Sequence, residues 1–184
     1  DQDSIFVGTN ANLILAGAGA ATLKTSRNIA LGGGSSITTI NGDLILNANS
    51  AGTASGNFIG IDIDAASVQV LGSGQLMLEG HGGNDALGSQ YGMRLRNSAQ
   101  VIGGSNVVSV VGNGGDSAGN FNYGVFALSS SQITSLGGNV SVTGSGGGSG
   151  NSADNSGVWA SNAEIKSGGS GTVTVVGNGG NTLG

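Results

Sequence analysis

Short apolar pairs separated by one residue recur along this chain at a nearly constant interval. One column runs Leu13/Leu15, Leu44/Leu46, Leu76/Leu78, Val108/Val110, Val140/Val142 and Val173/Val175, in steps of 31, 32, 32, 32 and 33 residues. A second runs Ile5, Ile37, Val68, Val101, Ile133 and Ile165. A third runs Ile29/Leu31, Ile61/Ile63, Met93/Leu95, Val125/Ala127 and Val158/Ala160. The i, i+2 spacing places both members of a pair on one face of a strand. Three columns sharing one period therefore predict three short strands per repeat, each stacked on its equivalent in the next repeat. No 3.6-residue period competes, and the glycines would weaken a helix. The fold predicted is all-β: a right-handed parallel β-helix (β-solenoid) with three short strands per coil of about 32 residues and between five and six coils.

Between the second and third strands the sequence places tight glycine turns at Gly72, Gly103/Gly104, Gly137/Gly138 and Gly168/Gly169, read as corners that need positive φ. Between the third strand and the next first strand lie long Gly-rich stretches, GHGGNDALGSQ, GNGGDSAGNFN and GSGGGSGNSADN, expected to leave the solenoid on one side. Gly60, Gly92, Gly124 and Gly157 open successive first strands. Residues 1–184 read as a single solenoid segment. Its start near Ile5, assigned to a second strand, and its end in a glycine loop after Val175 show no helical or polar cap. That predicts a piece of a longer repeat protein whose partners are neighbouring coils of the same protein, or end-to-end self-association.

Composition narrows the function classes. Glycine supplies 39 of 184 residues, but only 8% are charged and 37% are hydrophobic, which separates the chain from charged disordered sequences. A net charge of −5 with five Lys and Arg residues leaves no basic stripe for nucleic acid or acidic membranes. Apolar runs such as Leu13 to Ala21 are too short to insert in a membrane. Cysteine is absent, so packing and backbone hydrogen bonds must supply stability. Proline is absent too, and a chain lacking both suits export followed by coil-by-coil folding outside the cell.

The segments GVFALSSSQITSLGGNVSVTGSGGG and SGVWASNAEIKSGGSGTVTVVGNGG resemble repeats of very large bacterial proteins of the filamentous-haemagglutinin (two-partner secretion exoprotein) or autotransporter-passenger type. The resemblance covers nearly the whole chain and rests on composition and period. The 32-residue coil with a long loop departs from the tighter coils common in haemagglutinin-type shafts. The resemblance implies an extracellular or bacterial cell-surface location and a role as an adhesive, structural stalk.

The outward positions of the first strand vary most and form the candidate interaction ladder: Asp62, Arg94, Phe126 and Trp159, followed two residues on by Asp64, Arg96, Leu128 and Ser161. Equivalent positions in adjacent coils are neighbours. Asp62 is therefore expected to face Arg94, Asp64 to face Arg96, Arg94 to lie over Phe126, and Phe126 over Trp159. Tyr91 and Tyr123 are expected to stack as loop anchors. The ladder serves either mutual stabilisation or contact with a glycan or a surface protein of another cell.

Other chemistry is thinner. Gly80 to Gly88, GHGGNDALG, resembles a calcium-binding nonapeptide, but the equivalent loops do not repeat it. His81 is the sole histidine, with no partners to make a zinc site or a triad. A β-helical polysaccharide lyase or hydrolase would need paired carboxyls. Asp62 and Asp64 share a face at roughly 7 Å, yet their arginine neighbours disfavour a general acid. Asp43, Glu79, Asp85, Asp116, Asp154 and Glu164 are isolated. The expectation is a non-enzymatic stalk with no cofactor, no metal site and no membrane insertion, the alternatives being a passive spacer and, further off, that lyase or hydrolase.

Overall fold

A computed structural model describes residues 3–180. Among them it contains strands and turns and no helix. The first rung of the solenoid is β1 (Ser4–Val7), β2 (Asn12–Leu15) and β3 (Ala21–Thr25). The second is β4 (Asn28–Leu31), β5 (Ser36–Thr39) and β6 (Leu44–Ala48), and the third β7 (Ile61–Asp64), β8 (Ser67–Val70) and β9 (Leu76–His81). The fourth is β10 (Met93–Arg96), β11 (Gln100–Gly103) and β12 (Val108–Asn113). The fifth is β13 (Val125–Leu128), β14 (Gln132–Ser135) and β15 (Val140–Ser145), and the sixth β16 (Val158–Ser161), β17 (Glu164–Lys166) and β18 (Val173–Asn178).

Every third strand pairs in parallel, giving three six-stranded sheets: β1-β4-β7-β10-β13-β16, β2-β5-β8-β11-β14-β17 and β3-β6-β9-β12-β15-β18. The alternating residues of each strand point into one shared core. Ile29, Ile61, Met93 and Val125 of the first sheet, Ile37, Val68, Val101 and Ile133 of the second, and Leu44, Leu76, Val108 and Val140 of the third are all buried. Each such side chain contributes about 1.5–3 kcal/mol when fully removed from water. A single rung has nothing to bury them against, so the stack is the folding unit.

The first rung corrects the expected register. Ile5 pairs with Ile29 in the first sheet, not with Ile37 in the second, so the chain enters through a first-sheet strand. Leu13 and Leu15 pair with Ile37 and Thr39, while Leu44 and Leu46 lie on Ala21 and Leu23. The cause is the connection from β3 to β4, which is only Ser26 and Arg27, against residues 49–60 between β6 and β7. Without its long loop the first rung is shorter, and a fixed period of about 32 residues misplaces both columns there.

The two kinds of corner work differently. At the first-to-second corner the left-handed backbone is carried by Gly34 in the second rung and by non-glycine residues in the others, among them Asn10, Ala65, Asn97, Ser98, Ser129, Ser130 and Asn162. At the second-to-third corner only Gly169 of the expected glycines has positive φ. Gly104 and Gly138 are there because backbones touch: a Cβ on Gly104 would lie 1.8 Å from the Gly72 carbonyl oxygen, and one on Gly138 1.7 Å from that of Asn106.

The loops do leave on one side, between the third sheet and the first. Each is pinched where it departs and returns. A Cβ on Gly112 would lie 2.2 Å from the Gly124 carbonyl oxygen, and one on Gly144 1.9 Å from that of Gly157.

Candidate functional site

The outward column of the first sheet follows the expected register: Ala30, Asp62, Arg94, Phe126 and Trp159 are successive neighbours. Strand alternation points these side chains away from the core residues that flank them. The Arg94 Nε and one terminal nitrogen donate to the two oxygens of Asp62 at 2.9 and 2.7 Å. Arg96 reaches Asp64 at 2.9 Å and Asp62 at 3.4 Å, and Asn97 Nδ2 donates to Asp64 at 2.6 Å. All four charged side chains are partly buried. Both expected ion pairs are therefore present, cross-linked by Arg96.

The aromatic contacts differ from the expectation. The Arg94 guanidinium lies 5.9 Å from the ring centre of Tyr91, not over Phe126. Phe126 turns its ring to Tyr91 and Tyr123, at 5.0 and 5.1 Å, and Trp159 meets Tyr123 at 5.2 Å. The reason is the tyrosine column. Tyr91 and Tyr123 stack at 5.5 Å with planes 8° apart, as loop anchors at the necks before Gly92 and Gly124. They interleave with the strand column instead of standing beside it. Phe121 adds an edge contact to Tyr123 at 6.2 Å. Tyr123 is buried, which pushes its phenol up from the ordinary value with smaller help from Tyr91 and Asp154. Trp159 and Phe121 are each 44% exposed, so the cluster is partly open to solvent.

A buried polar ladder within the loops had no counterpart in the sequence reading. The side-chain oxygen of Gln90 accepts from the Phe58 amide, that of Asn122 from the Gln90 amide, and that of Asn155 from the Asn122 amide, at 2.9, 3.1 and 2.9 Å. Gln90, Asn122 and Asn155 are all buried. Their spacing of 32 and 33 residues was the available signal, hidden because glycine and serine dominate these stretches. The ladder turns the Gly-rich loops into a packed layer that fixes Tyr91 and Tyr123. Phe58 begins it, with the Arg27 guanidinium 4.9 Å from its ring centre.

The remaining candidates are held by local structure. One Asp85 oxygen accepts from the Leu87 amide and from Gln90 Nε2, both at 2.9 Å, so this carboxylate braces its own loop. No three His, Cys, Asp or Glu side chains among the described residues are grouped to hold a metal ion. His81 closes β9 instead of lying in the loop, and its ring fills the space beside Gly52. Burial pushes its imidazole below the ordinary histidine value, against the opposing pull of Asp116 and Glu79. Glu79 accepts from Asn47 Nδ2, Asp43 from the Gln75 amide, and Glu164 pairs with Lys166.

The site is thus a strip of ion pairs and rings along the outer face of the first sheet. Searches against protein-family models, curated proteins and solved structures each found no match to the chain, which is a parallel β-solenoid of about five coils.

Proposed function

We propose that this chain is a segment of a bacterial cell-surface or secreted β-solenoid stalk of the haemagglutinin or autotransporter-passenger kind, and that it attaches to a glycan or surface protein through the first-sheet flank. One observation carries the reading. The inward columns that begin at Ile29, Ile37 and Leu44 stay apolar from rung to rung, while the outward column changes from Asp to Arg to Phe to Trp and gathers partly exposed rings. A spacer has no use for such a break in its repeat, whereas rigid aromatic side chains are favoured at binding surfaces because they bury large area at small entropic cost. The absence of Pro and Cys supports export and folding outside the cell.

Catalysis fits the flank poorly. The paired carboxylates that glycoside hydrolysis needs are here engaged by two arginines. The test is whole-cell and glycan-array binding of the purified segment beside a Phe126→Ala/Trp159→Ala double variant, both shown to be β-rich by circular dichroism. Binding lost only in the variant supports the adhesive strip. No binding by either favours the passive spacer.

A further inference from the structure

The outward column of the first sheet also holds a notch at Ala30, three rungs before Phe126. Phe6 pairs with Ala30, and Ala30 with Asp62, so a methyl group stands between a phenyl ring and an ion pair. Gly32 removes the side chain at the next outward position. The hollow so formed has a volume of about 250 Å³, with Phe6, Ala30 and Gly32 on one side and Asp62, Asp64 and Arg96 on the other. Phe6 is 71% exposed. The carboxylates of Asp62 and Asp64, in contrast, are held by Arg96 at 3.4 and 2.9 Å.

We infer that this notch is a subsite for one pyranose of a neutral linear glycan lying along the solenoid axis, an inference that rests on the adhesive reading of the same flank. Three features select this ligand class. A flat phenyl ring suits the C–H face of a sugar, while oriented carboxylate and guanidinium groups suit its hydroxyls. The two aspartates and two arginines balance in charge, so the strip attracts hydroxyl groups without favouring an acidic or a basic chain. Arg96 Nε is buried and finds no acceptor among the described residues. Such an unmet donor is costly, and it belongs to a side chain that lines the notch.

The axial direction follows from spacing. Adjacent strands lie about 4.8 Å apart, close to the length of one residue in an extended β-linked glycan. Phe6 stands in the first rung and Phe126 in the fifth. Those four steps span about 19 Å, room for roughly four sugar residues between one aromatic platform and the other.

The experiment is calorimetric titration of the full chain with linear β-linked gluco-oligosaccharides of two to six residues, at low and high salt, for wild type, Phe6→Ala and Ala30→Tyr. Both substitutions lie outside the core, and circular dichroism checks each fold. Affinity is expected to rise with length up to four or five residues, to be insensitive to salt, to fall about tenfold in Phe6→Ala, the scale of one lost ring contact, and to fall at least as far in Ala30→Tyr, whose side chain fills the notch. Length-independent binding, a preference for sulfated oligosaccharides that salt abolishes, or variants equal to wild type would overturn the subsite. If that happens while Phe126→Ala/Trp159→Ala still abolishes cell attachment, the adhesive strip stands and only the notch falls. If wild type binds neither cells nor oligosaccharides, both fail.

Discussion

Arg94 grips Asp62 of the preceding rung through two nitrogens, at 2.9 and 2.7 Å, while Arg96 reaches across to the same carboxylate at 3.4 Å. Partial burial of all three side chains places this cluster between a solvent-screened surface pair and a desolvated one. Asp62→Ala is expected to destabilise the chain by about 1–3 kcal/mol, because it strands the Arg94 guanidinium and leaves Arg96 with Asp64 alone. Urea unfolding of the single and double variants with Arg94→Ala measures the coupling. A coupling indistinguishable from zero would mean the ladder is decoration.

Neighbouring glycines in one turn should respond in opposite ways. Nothing lies within 4 Å of a Cβ placed on Gly137, whereas one on Gly138 meets the Asn106 carbonyl oxygen at 1.7 Å. Gly137→Ala should leave stability unchanged or raise it by about 0.4–1 kcal/mol through the unfolded chain. Gly138→Ala should cost about 3 kcal/mol or more, since two rungs must separate. Thermal melts of the two variants make the comparison, and equal melting temperatures would refute the close-approach account.

Asn122 links three loops: its oxygen accepts from Gln90, and its Nδ2 donates to Gly119, Ser152 and Asn155. Asn122→Leu leaves several buried groups unpaired, at about 1–3 kcal/mol each. Hydrogen exchange should accelerate in residues 82–92 and 114–124 before it does in the strands. Uniform acceleration would indicate that the loops are not a separate layer.

His81 should make stability depend on pH. Its folded-state value is lowered by burial, so the unfolded chain takes up the proton more readily. The contribution is fully present above the unfolded value of about 6.5 and is lost as pH falls through the lower folded value. Between those limits stability should rise with pH, and His81→Gln should flatten that slope. A slope unchanged by the substitution would show that His81 is not its source.

The sequence by itself determined the solenoid. Alternation along a strand is local, and a column such as Leu76, Val108 and Val140 repeats because each rung must bury the same face against the next. The Asp62–Arg94 and Asp64–Arg96 neighbours followed from that register alone. Tertiary structure decided what period cannot encode. Ile5 moved to the first sheet because a two-residue connection shortened the first rung. Phe126 and Trp159 meet Tyr123 because rings choose partners by available volume, and the volume beside these strands is filled by tyrosines arriving from the loop necks. The notch at Ala30 became visible only once Phe6 was paired with it. Repetition fixes which backbones are neighbours; side-chain shape and loop length fix what those neighbours do.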